Sequence, residues 1–177
     1  PSLLAGDQDI INMPFPYLSC IYYGNLYQNG TGNFLVSMAT KGFIEVDNNG
    51  AETMTDAPGV YITMNFFSKN YPGNVANPVI EEGVYTVSGT SADQLLSQWT
   101  LMPGMLMEDS PFGTYLLQQT ATGEGIMEFI SGGYVEVAYP EVEGAPENYC
   151  ELTYSLKTSK REICGVWRGV MPVNNLA

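Results

Sequence analysis

The stretch that most constrains the fold is Glu147–Val170, ENYCELTYSLKTSKREICGVWRGV. Its first arm alternates. Cys150, Leu152, Tyr154 and Leu156 fall on one side, with Glu151, Thr153, Ser155 and Lys157 on the other. A period of two is the repeat of a β-strand with one buried face and one wet face. Thr158-Ser159-Lys160 interrupts the pattern, so the spacing predicts an antiparallel hairpin turning near Ser159. That turn would set Cys164 opposite Tyr154 and away from Cys150, so no direct disulfide is expected across the hairpin. Cys20 could pair with either, and the cysteines leave the redox compartment open.

The remaining chain repeats this grammar. Strands are expected at Tyr17–Tyr23, Asn33–Thr40, Phe43–Val46, Ala51–Met54, Gly59–Ser68, Gly83–Val87, Gln94–Met102, Thr114–Thr120, Gly125–Ile130 and Tyr134–Tyr139. Gln94–Met102 could instead open as one helical turn capped by Ser91. Asn29-Gly30, Asn48-Asn49-Gly50, Pro72-Gly73, Pro103-Gly104 and Ser131-Gly132-Gly133 supply the turns between them. Pro1–Met13 shows no periodicity and reads as a leader or linker, leaving 14–177 as a single domain. About ten short strands at this spacing predict an all-β fold of two packed antiparallel sheets, a jelly-roll-like sandwich. A single closed barrel of lipocalin-like type is the alternative.

Charge excludes several functions. The net charge is −13, with 19 acidic and six basic residues. Four of the six, Lys157, Lys160, Arg161 and Arg168, lie in the last hairpin, and no cation occurs between Lys69 and Lys157. Nucleic-acid binding needs cations to replace phosphate counterions and is not expected. No run approaches the ~18 apolar residues of a membrane span. The chain has no histidine, which removes imidazole catalysis and His-ligated metals. No phosphate-binding or dinucleotide fingerprint is present, and no cofactor is expected.

Three kinds of site remain. Tyr23, Tyr27, Tyr71 and Trp99 lie in or near loops, where aromatic rings stack on sugars beside hydrogen-bonding Asn and Asp. Asp47, Asn48, Asn49 and Glu52 carry oxygens that suit calcium, without the full calcium-loop spacing. Glu128 and Glu136 flank the Ser131–Gly133 turn on strands expected to be adjacent, as a glycoside hydrolase's two carboxylates would be. Met102, Met105 and Met107 surround Leu106 and are expected to fill core gaps.

Tyr22–Asn25, Gly30–Phe34, Ile80–Val87, Ile130–Val137 and Gly165–Gly169 together give a pattern of turn and strand residues. It resembles uncharacterised β-domains of secreted or lipid-anchored proteins of gut-type bacteria. The resemblance implies export to the cell surface or periplasm, with signal and anchor removed, and it implies no activity. The expected function is a non-catalytic binding or adhesion domain for a glycan or another cell-surface protein. The alternatives are an assembly module presenting an edge strand or the Lys157–Arg161 tip, and the hydrolase.

Overall fold

The computed structural model describes residues 7–73 and 75–177. Its first strands are β1 (Ile10–Ile11), β2 (Tyr17–Gly24), β3 (Thr31–Ala39), β4 (Ile44–Val46), β5 (Glu52–Met54) and β6 (Gly59–Lys69). Then come β7 (Gly83–Val87), β8 (Thr100–Leu101), β9 (Met105–Met107), β10 (Ser110–Phe112) and β11 (Tyr115–Gln119). The last are β12 (Gly125–Phe129), β13 (Gly132–Ala138), β14 (Tyr149–Lys157), β15 (Glu162–Val170) and β16 (Val173–Asn175). The described residues contain no helix, hence none long and apolar enough to cross a membrane.

The chain is all-β, as its alternation predicts, but the strands do not divide into two separate sheets. Twelve of them form one sheet in the order β1-β15-β14-β13-β7-β8-β6-β3-β2-β16, and β11 and β12 continue from a second stretch of β6. This sheet curls into a half-barrel. The β4–β5 and β9–β10 ribbons stand apart from it. One two-residue strand makes the difference from a sandwich. β8 pairs parallel with β7 and antiparallel with β6, and so stitches together what would otherwise be two sheets. Backbone bonds flank the stitch on both sides: Trp99 N donates to Phe67 O at 2.9 Å, and Ser88 N to Leu101 O at 3.0 Å. Nor is the barrel closed, because β1 and β16 end the order without pairing to each other.

The core lies on the concave side. Cys150, Leu152, Tyr154 and Leu156 are buried there, as the period of two requires. They share one cluster with Cys20, Phe34, Val36, Met38, Ile62 and Met64. The hairpin register differs by one from the expected one. Tyr154 pairs with Gly165, and Cys164 faces Ser155. The reason is the turn, which closes with Thr158 N on Arg161 O at 3.0 Å and so centres between Ser159 and Lys160. The shift puts a glycine where Tyr154 needs room: a Cβ on Gly165 would lie 2.4 Å from the Tyr154 hydroxyl.

The stretch expected as a leader joins the fold from its seventh residue on; Pro1–Gly6 lie outside the described residues. Ile10 is buried, β1 pairs with Ile163 and Cys164, and Asp9 Oδ1 accepts from Glu162 N at 2.9 Å. Met102 fills the core as expected, whereas Leu106 and Met107 are exposed on the β9–β10 ribbon.

Burial also sets the alkaline limit of the fold. It pushes the Cys20 and Cys150 thiols and the Tyr154 phenol up to about 12, and raises Tyr85 and Tyr139 as well. All are neutral when folded. Unfolding frees the thiols to ionise near 9 and the phenols near 10. Stability from these groups is therefore complete below pH 9 and is lost as pH rises towards 12. Denaturant midpoints measured across that window should fall steadily; a flat profile to pH 12 would contradict this burial.

Candidate functional site

Even-numbered residues of β2, β3, β6 and β11 contribute to the core and Glu128 of β12 is buried on the same side, so the odd-numbered ones lie on the other face. The pairing registers place these outward residues in rows across the strands. One row is Tyr17, Ala39, Tyr61, Leu117 and Met127. The next is Ser19, Ser37, Thr63, Tyr115 and Phe129, and a third is Ile21, Leu35 and Asn65. None of these residues is charged, although the chain carries −13. Neighbouring strands lie about 4.8 Å apart, so each row is a short flat strip.

Tyrosines stand over a polar floor in this face. The Tyr61 hydroxyl donates to Ser37 Oγ at 3.0 Å, and Ser37 Oγ lies 3.2 Å from Thr63 Oγ1. Asn33 Nδ2 donates to Asn65 Oδ1 and to Phe66 O, and Asn65 N donates to Thr114 Oγ1 at 3.1 Å. β3 is buried on both faces, Ser37 and Asn33 included. Burial raises the Tyr115 phenol, with Tyr61 adding to it. Burial also pushes Tyr17 up to about 12, and the neighbouring Glu52 adds to that rise. The Tyr17 hydroxyl is buried and makes no hydrogen bond of good geometry among the described residues, although Glu52 and Ser19 stand near it. Beside it runs a groove of about 430 Å³, lined by Tyr17, Ser19, Ile21, Glu52, Pro172 and Asn174 among others.

The aromatic residues singled out from sequence do not form one cluster. Tyr23 continues the outward column of β2 beyond Ile21 and is half-buried. Tyr27 packs on Phe67 with ring centroids 5.6 Å apart. Tyr71 is tied down: its hydroxyl donates to Val79 O at 2.8 Å and accepts from Val79 N at 3.2 Å, and its ring meets Tyr22 edge-on. Trp99 lies over Gly83 and 5.3 Å from Tyr85. Tyr71 and Trp99 thus brace the scaffold, with Tyr22, Tyr85 and Tyr139 helping to fix the same loop. Tyr139 donates to Ile80 O at 2.6 Å and Tyr85 to Glu81 O at 2.6 Å.

The acidic candidates are also spread out. Asp47 Oδ1 accepts from Asn49 N and Ala51 N at 2.8 and 2.9 Å, which closes the β4–β5 turn, while Glu52 stands by Tyr17. The described residues hold no group of three or more acidic, Cys or His side chains placed to share a metal. Glu128 and Glu136 are not on adjacent strands. Among the described residues β12 pairs only with β11, and β13 with β7 and β14. Glu136 is exposed, whereas Glu128 is buried against Arg161, whose Nη2 lies 2.6 Å from Glu128 Oε2. The pairing assumed for a hydrolase was wrong because the Ser131–Gly133 turn carries the chain from one arm of the sheet to another. A wider crevice of about 530 Å³ runs along the Tyr139–Tyr149 loop, with Glu141, Glu143 and Glu147 in its wall.

Sequence reasoning missed Tyr17, Tyr61 and Tyr115. The signal was present in the odd-numbered positions of five expected strands, which lack charge. It becomes a site only when the registers set those positions side by side. No protein-family model, no curated protein and no solved structure matches the chain.

Proposed function

We propose that the chain is a non-catalytic binding module that holds an uncharged glycan on its tyrosine face. One observation carries this reading: Tyr17, Tyr61 and Tyr115 lie beside Ser19, Ser37 and Thr63 in rows across the strands that contain no charged residue. Rings offer apolar faces for the C–H surfaces of a sugar, and the hydroxyls and amides around them exchange hydrogen bonds with its OH groups. A chain of net −13 repels anionic polymers at a distance, so a neutral polyol suits it better than a uronate or sulfated chain. Among the described residues the face holds no pair of groups set up as acid and base, which supports binding without turnover. Export, implied by the resemblance of its segments, would place the face where glycans are met.

The test is a calorimetric titration against a panel of neutral and acidic oligosaccharides. Neutral glycans should bind and acidic ones should not. Tyr61→Ala and Tyr115→Ala should each weaken binding about tenfold. Tyr61→Phe should keep most of it, and Asp47→Ala should change nothing. Equal affinity of Tyr61→Ala and the parent chain would sink the proposal, as would silence from every neutral glycan at millimolar concentration.

A further inference from the structure

The outer edge of the β11–β12 arm has an unusual composition. Thr120 N donates to Glu124 O at 2.9 Å, and Ile130 N to Thr114 O at 3.1 Å. Both bonds continue the β11–β12 register. Even-numbered residues of β12 therefore exchange hydrogen bonds with β11. The N–H and C=O groups of Gly125, Met127 and Phe129 point the other way. Among the described residues β12 has no second neighbour in the sheet, and Gly125 and Met127 are exposed. Natural sheets blunt such an edge with Lys, Pro, a bulge or shortness. The other ends of this sheet follow that rule. β1 has two residues and β16 three, and the part of β15 beyond β1 carries Arg168, paired with Glu151 at 2.9 Å. β12 has none of these devices. Its one charge, Glu128, turns inward to Arg161.

We propose that β12 is a self-pairing edge, through which two copies of the chain join antiparallel about a twofold axis at Met127. The sequence is complementary to itself in that register. Met127 faces Met127 of the other copy, and Phe129 faces Gly125 at both ends, a ring set against a residue with no side chain. Every outward N–H and C=O of Gly125, Met127 and Phe129 then finds a partner. One step further out, Glu124 comes opposite Ile130, beside Ser131. Ser131 N donates to Lys157 O at 2.8 Å, and the Lys157 side chain is exposed. Each acidic turn thus approaches the other copy's basic hairpin tip. Two chains of −13 can meet only where like charges are kept apart, and this edge does so. Met127 also ends the row that begins at Tyr17, so pairing would join the two outer faces into one continuous surface.

Sedimentation equilibrium over a concentration series tests this without any glycan. The mass should rise from 19.3 kDa towards twice that value. Met127→Pro should hold the chain at monomer mass with little change in melting, because the N–H it removes points away from β11. Met127→Cys should cross-link on mild oxidation, since antiparallel hydrogen-bonded partners sit about 5.5 Å apart, within disulfide reach. Val166→Cys, on the edge of β15, should not. A parent chain that stays monomeric at high micromolar concentration overturns the proposal. So does a dimer that survives Met127→Pro, or one that Val166→Cys traps instead.

Discussion

Arg161→Met is expected to destabilise the fold by about 3–5 kcal/mol, lowering the melting temperature by on the order of 10 °C. The Arg161 side chain is fully buried, and that of Glu128 is 5% exposed. The guanidinium meets Glu128 through Nη2 at 2.6 Å and through Nε at 3.2 Å. Nη2 also donates to Gln118 Oε1 at 2.9 Å, and Nη1 to Gln8 O at 3.2 Å. Thr158 Oγ1 adds a bond to Glu128 Oε1 at 2.7 Å. Three remote parts of the chain meet at this one side chain: the β11–β12 arm, the β14–β15 tip and the N-terminal segment. Removing it leaves a carboxylate in the core with a single hydroxyl donor, and that desolvated charge is the source of the loss. Arg161→Lys should rescue little, because an ammonium lacks the planar fork that serves Glu128 and Gln118 together. Glu128→Leu combined with Arg161→Met should recover much of the stability, since a buried pair replaced whole by apolar groups is often neutral. Urea midpoints of the three variants decide the matter. A loss under 1 kcal/mol for Arg161→Met would mean that water reaches Glu128 and that the arms are joined in some other way.

Arg161 shows where the sequence stops being readable. Alternation reports which face of a strand is buried, and it did so correctly for Cys150 through Leu156. It cannot report what a turn residue reaches. Arg161 sits in a basic tip beside Lys157 and Lys160 and reads as a solvated cation, yet the hairpin folds its tip onto the inner face of β11 and β12. The half-barrel was hidden for a related reason. Joining the two groups of strands depends on Thr100 and Leu101, which pair on both sides, and two residues show no period. The tyrosine face lies between these cases. Each odd-numbered position was visible in its own strand, but the site belongs to the registers between strands, and turn length fixes those registers. An error of one residue, as at Cys164, would have scattered the rows. The N-terminal stretch failed on length: two residues of parallel pairing bury Ile10 too briefly for a pattern to form.

Gly133→Ala is the second large effect, and its neighbour supplies the control. Ser131-Gly132-Gly133 looks in sequence like one turn with two interchangeable glycines. The structure separates them. A Cβ on Gly132 would meet nothing within 4 Å. A Cβ on Gly133 would lie 2.0 Å from Ser155 O and 2.8 Å from Leu156 Cα, and the backbone there has φ +106°. Those neighbours are main chain of β14, so no side chain can swing aside. They are also the register partner of Gly133 and the residue next to it. Close approach at this point lets β13 lie between β7 and β14 while the sheet coils, and only glycine combines that contact with that dihedral angle. Gly133→Ala should therefore cost about 3 kcal/mol or more, from strained backbone and forced separation of the strands together. Gly132→Ala should stay within about 0.5 kcal/mol of the parent or gain slightly, through a less flexible unfolded chain. Denaturant melts should show the first midpoint falling with its slope unchanged, as expected when stability alone is altered. If both variants moved alike, the tight approach of β13 to β14 would not exist. The row from Tyr17 to Met127 lies across strands that do not pair with β13, so in folded Gly133→Ala the glycan affinity should survive, and loss of binding at full folding would mean that the two arms communicate through β8.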